Sequence, residues 1–196
     1  MVAIATSTIV SQAFRHLEHP PVAGLAETHP LAVAAAEQYD AALDLALSMY
    51  DWSFARVLAA LPEVGAQGLA PDTALPFAFA VPGDLVRLHH VKAGVAWRRD
   101  GEKLRADAAG PLEIRYTARL SNEAQLPVSF RDVVSLQLAI RLQVHLPTRT
   151  KRVDLREQLE VAFTLAQEVD KISASSHDFS TGEAVDHRDW AEEAQS

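Results

Sequence analysis

The side chains that could do chemistry fall in three groups of histidine and carboxylate. His16 and His19 lie three apart beside Glu18. On a helix that spacing turns two imidazoles to one side, but a metal ion needs further ligands that no neighbouring residue supplies. A pair of solvated histidines ahead of Pro20-Pro21 accounts for the same residues. His89-His90 falls in the run LVRLHHV. Neighbours on a strand point to opposite faces, so these two are not expected to share an ion, one being half-buried and the other solvated. His177, Asp178, Asp186, His187 and Asp189 could surround a divalent cation, but ordering a polar segment costs about 1–2 kcal/mol per residue fixed. Glu157, Glu160, Glu192 and Glu193 read as solvated faces. The sequence holds no Gly-x-Ser-x-Gly, no phosphate-cradling glycine loop and no His-Glu-x-x-His. No catalytic residue, cofactor or metal is therefore expected, and an enzyme would need a site assembled from dispersed positions.

Interaction chemistry is better represented. Trp97 precedes Arg98 and Arg99 close to Asp100-Gly101, where a hairpin tip is expected; the indole either folds back on its sheet or meets a partner. Trp190 stands in a polar, acidic stretch whose other large apolar groups are Phe179 and Val185. Such a stretch cannot bury an indole locally. Burying one removes roughly 200 Å² from water, worth about 5 kcal/mol as an upper bound. Either another surface receives Trp190 or it packs back on its own chain.

Composition limits the classes. In 196 residues, 48% are hydrophobic and 22% charged, which is ordinary for one folded domain. The net charge of −8 and the scattered placement of the eighteen basic residues disfavour tight binding to nucleic-acid phosphates. No apolar run is long enough to cross a bilayer, and Leu136–Leu146 is interrupted by Gln137, Arg141, Gln143 and His145. The first residues lack the basic region of a secretory signal. The absence of cysteine excludes disulfides and thiolate chemistry.

Elements follow from spacing. Residues 7–18 make a short amphipathic helix with Ile9, Ala13, Phe14 and Leu17 on one side. Residues 30–61 contain no internal glycine or proline and are rich in alanine and leucine, which predicts one long helical rod. Ala35, Tyr39, Ala42, Ala46 and Met49 line one of its faces, and Leu43, Leu45 and Leu47 lie off it. Phe77–Val81 and Leu85–Val91 are expected strands. Asp100-Gly101 predicts a two-residue turn between residues 95–99 and 102–106. Leu112, Ile114 and Tyr116 alternate along a further strand. A helix is expected from Ser129, with Asp132 completing a capping box, to Leu146. A last helix runs from 154 to 172 with Leu155, Leu159, Ala162, Ala166 and Val169 as its buried stripe. The expected fold is α+β and mainly α: an antiparallel helical bundle over residues 1–172 with a small antiparallel β-module inserted at about 77–119. Residues 173–196 would form an extended arm.

The order of these segments resembles the head–tail adaptor (connector) proteins of tailed bacteriophages, in particular the tail tubular protein A and head-completion type of short-tailed phages. The likeness is carried by Tyr39-Asp40, Tyr50-Asp51-Trp52-Ser53-Phe54-Ala55, Pro82-Gly83-Asp84-Leu85, and Ile114-Arg115-Tyr116 with Pro127 and Phe130 downstream. It covers about residues 5–172. The resemblance implies a structural protein, not an enzyme, that forms a ring, commonly twelvefold, beneath the capsid portal. The ring extends the DNA channel, which genome DNA passes without tight binding, and supports the tail or nozzle. It implies no membrane, assembly in the host bacterial cytoplasm, and residence at the head–tail interface of the virion. Carried to this chain, Phe179, Val185, Arg188 and Trp190 would bind the portal. Trp97, Arg98 and Arg99 would face the tail or a neighbour, and Leu43, Leu47, Tyr50, Trp52 and Phe54 would form the subunit interface. The alternative is a small helical enzyme or regulatory binding module with a pocket between bundle and sheet.

Overall fold

The computed structural model describes residues 7–20, 30–65, 68–144 and 152–178, with side chains on the last helix described from 154 to 174. Helix α1 (Thr8–His16) starts where Ser7 Oγ accepts the Val10 amide at 3.1 Å. It buries Ile9, Val10, Ala13 and Phe14. Helix α2 (Pro30–Ser48) buries the alanine face foreseen from its spacing, together with Tyr39, Leu43 and Leu47. Helix α3 (Val128–Leu142) lies at the centre of the helical layer, touching α1, α2 and α4 (Arg152–Asp178). Every residue of α3 from Val133 to Ile140 is buried, including Ser135 and Gln137.

Seven strands occur among the described residues: β1 (Arg56–Leu61), β2 (Glu63–Val64), β3 (Phe77–Ala80), β4 (Leu85–Val91), β5 (Trp97–Asp100), β6 (Lys103–Ala106) and β7 (Leu112–Ala118). They pair antiparallel in two sheets, in the orders β1-β7-β4 and β2-β3-β6-β5. The chain changes sheet at Pro62, at Pro82-Gly83, between Val91 and Trp97, and at the cis Gly110-Pro111 bond. Both sheets turn an apolar face into one cluster containing Leu61, Phe79, Val91, Leu104, Leu112, Ile114 and Tyr116. At Gly110 the chain passes so close that an added Cβ would lie 3.1 Å from Phe79 Cε1 and 3.1 Å from the Glu63 amide nitrogen. A side chain there would have to displace β2 or the Phe79 ring of β3.

This overturns the mainly helical bundle with a small β-module. The protein is a mixed α/β fold in which four helices and two antiparallel sheets share the described residues. The difference begins in the expected rod at 30–61. It is helical only to Ser48, passes through a 3-10 turn at Ser53–Ala55, and becomes strand β1. RVLAAL has good helix formers, but its even residues are exposed while Val57, Ala59 and Leu61 turn inward. Pairing along the whole of β7 outweighs local propensities of a few tenths of a kcal/mol per residue.

Smaller differences have local causes. Asp100 pairs with Lys103, so the turn residues are Gly101-Glu102, one position later than expected. Gly101, at φ 63°, takes the left-handed first position that suits glycine. The capping box at Ser129 and Asp132 does not form: α3 opens from Pro127 without a side-chain cap, and Ser129 is already inside the first turn. The same helix stops at Leu142, not Leu146. Helix α4 continues through Asp178, so the first residues assigned to an extended arm are helical.

Candidate functional site

The segment Tyr50–Ala55 joins the two layers. Trp52 is fully buried in the helical core, and its indole N–H donates to the Ala46 carbonyl at 3.0 Å. Its ring meets Tyr50 (5.1 Å), Phe54 (5.8 Å), Phe130 (5.0 Å) and Phe163 (5.8 Å) between centroids. Edge-to-face packing of this kind stabilises beyond simple burial. Ser53 is gripped from α4: its amide and hydroxyl donate to the buried Asp170 carboxylate at 2.9 and 2.6 Å. With Trp52 pinned on one side, Asp51 is turned toward the sheet.

There Asp51 gathers a cluster of basic side chains. Its carboxylate lies 3.2 Å from Arg56 Nε, 3.5 Å from an Arg115 terminal nitrogen and 3.7 Å from His89 Nε2. Arg87 donates to the Ser48 carbonyl at 2.7 Å. Register places Arg56, Leu58 and Ala60 opposite Thr117, Arg115 and Glu113, so all six share the outer face of the β1-β7-β4 sheet. On β4, Arg87 stands beside Thr117 and His90 beside Arg115, with a bulge between Leu88 and His90. The bulge breaks the strand alternation, and His89 reaches Thr117 Oγ1 at 2.7 Å on the face that His90 also occupies. The expectation that the pair faces opposite ways is therefore corrected. Burial pushes the His89 pKa down; Asp51 opposes this, while Arg87, Arg115 and Arg56 add to it.

Two Ser/Thr–His–Asp groupings invite comparison with a nucleophilic triad. His16 Nε2 lies 3.1 Å from Ser135 Oγ and 3.6 Å from Asp132. A triad needs the nucleophile and the carboxylate on opposite ring nitrogens. Here both meet the same nitrogen, Ser135 is fully buried, and its hydroxyl donates to the Asp132 carbonyl at 2.8 Å. His89 likewise meets both Thr117 and Asp51 through Nε2. Both groupings are structural. Glu123 is a third polar clasp: it accepts from Thr8 N and Oγ1 at 3.1 Å, from Tyr39 Oη at 2.9 Å and from Ser7 Oγ, tying the start of α1 to α2. Burial and this carboxylate push the Tyr39 pKa upward. Among the described residues, no group of three or more His, Asp or Glu side chains is placed to hold a metal ion.

A cleft of about 450 Å³ opens between α2 and the turn before β4, lined by Asp44, Leu45, Ser48, Asp84 and Arg119 among others. Its charges largely engage one another. Arg119 Nε lies 2.8 Å from Asp44 and its terminal nitrogen 3.3 Å from Asp40, while Tyr116 Oη donates to Asp84 at 3.2 Å. Burial raises the Asp44 pKa, against the pull of Arg119.

The residues singled out from the sequence are spread over these regions. Leu43, Leu47 and Trp52 are buried inside the chain's own core, which leaves a neighbour no area on them. Tyr50 and Phe54 pack against the same core and are half-buried. Trp97 starts β5, at the end of the hairpin away from its turn, and is 44% exposed. It shares a sheet face with Leu104 and Ala106, so the indole is half covered by its own module. Arg98 is tied to Asp100 at 2.8 Å and to Asp72 at 3.0 Å, and Arg99 donates to the Gly101 carbonyl at 3.0 Å. Phe179, Val185, Arg188 and Trp190 lie outside the described residues, as do Asp186, His187 and Asp189.

Sequence reasoning missed two surfaces. Val161, Leu165, Val169 and Ile172 form a second apolar stripe on α4, exposed by 71, 54, 40 and 69%, on the flank beside the buried stripe; Val169, expected in that buried stripe, belongs to this exposed one. The signal was present in the spacing of four, four and three residues. The basic sheet face was missed because β1 was read as helix, which hides the alternation of Arg56 and Leu58.

Comparison of the chain with family models gives no match, and comparison with curated proteins gives none. Among the described residues no helix is long and apolar enough to cross a membrane.

Proposed function

We propose that the chain is a structural head–tail adaptor that assembles as a ring, commonly of twelve copies, beneath a phage-type portal. In this reading the ring extends the DNA channel and carries the tail or nozzle proteins. The observation that carries it is the outer stripe of α4. One face of α4 is consumed by the protomer's own core, and Val161, Leu165, Val169 and Ile172 still stand in water on another. Fully burying one Val, Leu or Ile side chain stabilises by roughly 1.5–3 kcal/mol, so four in a row favour a neighbouring surface. Head-to-tail contacts between copies close into rings, and repeated around a ring modest contacts become strong. The resemblance of Tyr50–Ala55 and Pro82–Leu85 to adaptor sequences points the same way. These segments build the junction that sets the two layers against each other.

The portal is the proposed partner of Phe179, Val185, Arg188 and Trp190, and the half-exposed Trp97 edge the proposed contact for a tail component or neighbour. The proposed location is the head–tail interface of a virion, after assembly in the bacterial host. The test is light scattering of the pure chain with and without portal, comparing wild type with Val161→Asp/Leu165→Asp. The variant should keep its circular dichroism and lose ring formation. A variant that still forms rings, or a wild type that stays monomeric beside portal, overturns the reading. Particles lacking residues 179–196 should fail to retain the protein. The cleft beside Asp44 and Arg119 is where a small-ligand binding module would place its pocket, and ligand binding there without oligomerisation would favour that second reading.

A further inference from the structure

The outer face of the β1-β7-β4 sheet is basic on a chain whose net charge is −8. Arg56, Arg87 and Arg115 crowd this face: Asp51 pairs with Arg56 and Arg115, Arg87 donates to the Ser48 carbonyl, and Glu113 stands at the far end of the face opposite Ala60. The Arg115 Nε is buried without a hydrogen-bond partner. In their midst Leu58 is 77% exposed, the most exposed large apolar residue on the described surface. A phosphate backbone has no use for a leucine at the centre of its site. Arginine stems around an exposed leucine instead suit a segment that is both acidic and aromatic. Residues 183–196 have that chemistry: Glu183, Asp186, Asp189, Glu192 and Glu193 against the single Arg188, with Trp190 among them.

The segment also starts from the right place. Asp170 on α4 holds Ser53, three residues before Arg56. From Asp170 the helix runs eight more residues, about 12 Å. The twelve residues from Asp178 to Trp190 then span up to about 40 Å. The apolar stripe of α4 is a poorer seat, since Glu157 and Glu168 flank it with the same sign of charge as the segment.

We propose that the outer face of the β1-β7-β4 sheet is an intramolecular dock for residues 183–196 of the same chain, with Trp190 over Leu58 and the carboxylates among Arg56, Arg87 and Arg115. The tether gives an effective concentration of order millimolar, so even a weak contact is populated in the free subunit. The ionic part of the contact weakens as salt screens it. The docking holds in the free chain whether or not the chain works as an adaptor.

The chain has no cysteine, so Ser196→Cys takes a single nitroxide label. In the isotope-labelled full chain at low salt, the label should cause selective loss of amide signal at Leu58, Ala60 and Arg115, and not in α3. The loss should fade with added salt and disappear in Leu58→Ser and Trp190→Ala, both of which spare the described core. Arg115→Glu should weaken the contact, and Glu192→Arg combined with it should restore part of the loss. Unchanged amide intensities at low salt overturn the proposal. Loss that appears on isotope-labelled chains carrying no nitroxide, when mixed with spin-labelled unlabelled chains, assigns the site to a second copy and overturns it. A short DNA duplex that displaces the label at physiological salt marks a phosphate-backbone site and overturns it too.

Discussion

The helical layer and the paired sheets use their large side chains in opposite ways. In the helices Phe14, Tyr39, Trp52 and Phe130 are all but completely buried, and Phe54 and Phe163 close around them. Distant segments are then tied by buried or half-buried carboxylates: Glu123 holds α1 to α2, and Asp170 holds the Trp52 turn to α4. The sheets bury a smaller set around Phe79, Leu104, Ile114 and Tyr116. The outer face of the β1-β7-β4 sheet carries Arg56, Arg87, Arg115 and His90, and Trp97 lies half-exposed on the edge strand of the other sheet. One region therefore acts as a frame and the other presents chemistry to whatever binds. Helix α4 belongs to both, because one face completes the frame while the other offers an apolar stripe.

The two regions should answer to mutation differently. Trp52→Ala should cost about 3–5 kcal/mol in chemical denaturation, the usual loss for a buried aromatic in a closed core. Trp97→Ala, at a half-exposed edge, should cost no more than about 1 kcal/mol. Equal losses at the two sites would show that the sheets are as tightly framed as the helices. Asp170→Ala should cost about 1–3 kcal/mol, because the Ser53 amide and hydroxyl would lose their buried acceptor. Hydrogen exchange at Ser53 and Phe54 should rise more than at β7.

Acid should act on both regions through histidine. The folded pKa values of His16 and His89 are depressed below the ordinary 6.5, chiefly by burial. The unfolded chain then binds more protons as pH falls below 6.5, so stability is full above that value and declines toward the folded pKa values. His16→Gln should flatten this acid-side slope in pH-dependent melting, and an unchanged slope would assign the loss elsewhere. The smallest effect belongs to Leu58→Ser, within about 0.5 kcal/mol of wild type in denaturation, because the described layers leave Leu58 77% exposed and the proposed docked segment adds only a weak contact. A larger loss would mean that the docked segment contributes strongly to global stability.

What could be read in the residues was what depends on near neighbours. The hairpin at Asp100–Lys103, the alternation of Leu112, Ile114 and Tyr116, and the alanine face of α2 all arise from contacts within a few positions, and the structure retains them. The end of α2 at Ser48 was not legible. RVLAAL has the composition of a helix, and only pairing with a strand some sixty residues away makes it β1. That error propagated. With β1 read as helix, Trp52 fell within a continuous rod, and Leu43, Leu47 and Trp52, which the resemblance implied as a subunit interface, are the inside of a frame. The basic sheet face could not be assembled from Arg56, Arg87 and Arg115, which only register brings together. The outer stripe of α4 was visible as spacing, but whether it is covered depends on where the other helices lie. The sequence by itself determined the kind of most elements, β1 excepted, and the charge they carry. Tertiary structure decided which faces are spent inside the chain and which remain for a partner, because burial is a property of distant segments meeting and no local preference encodes it.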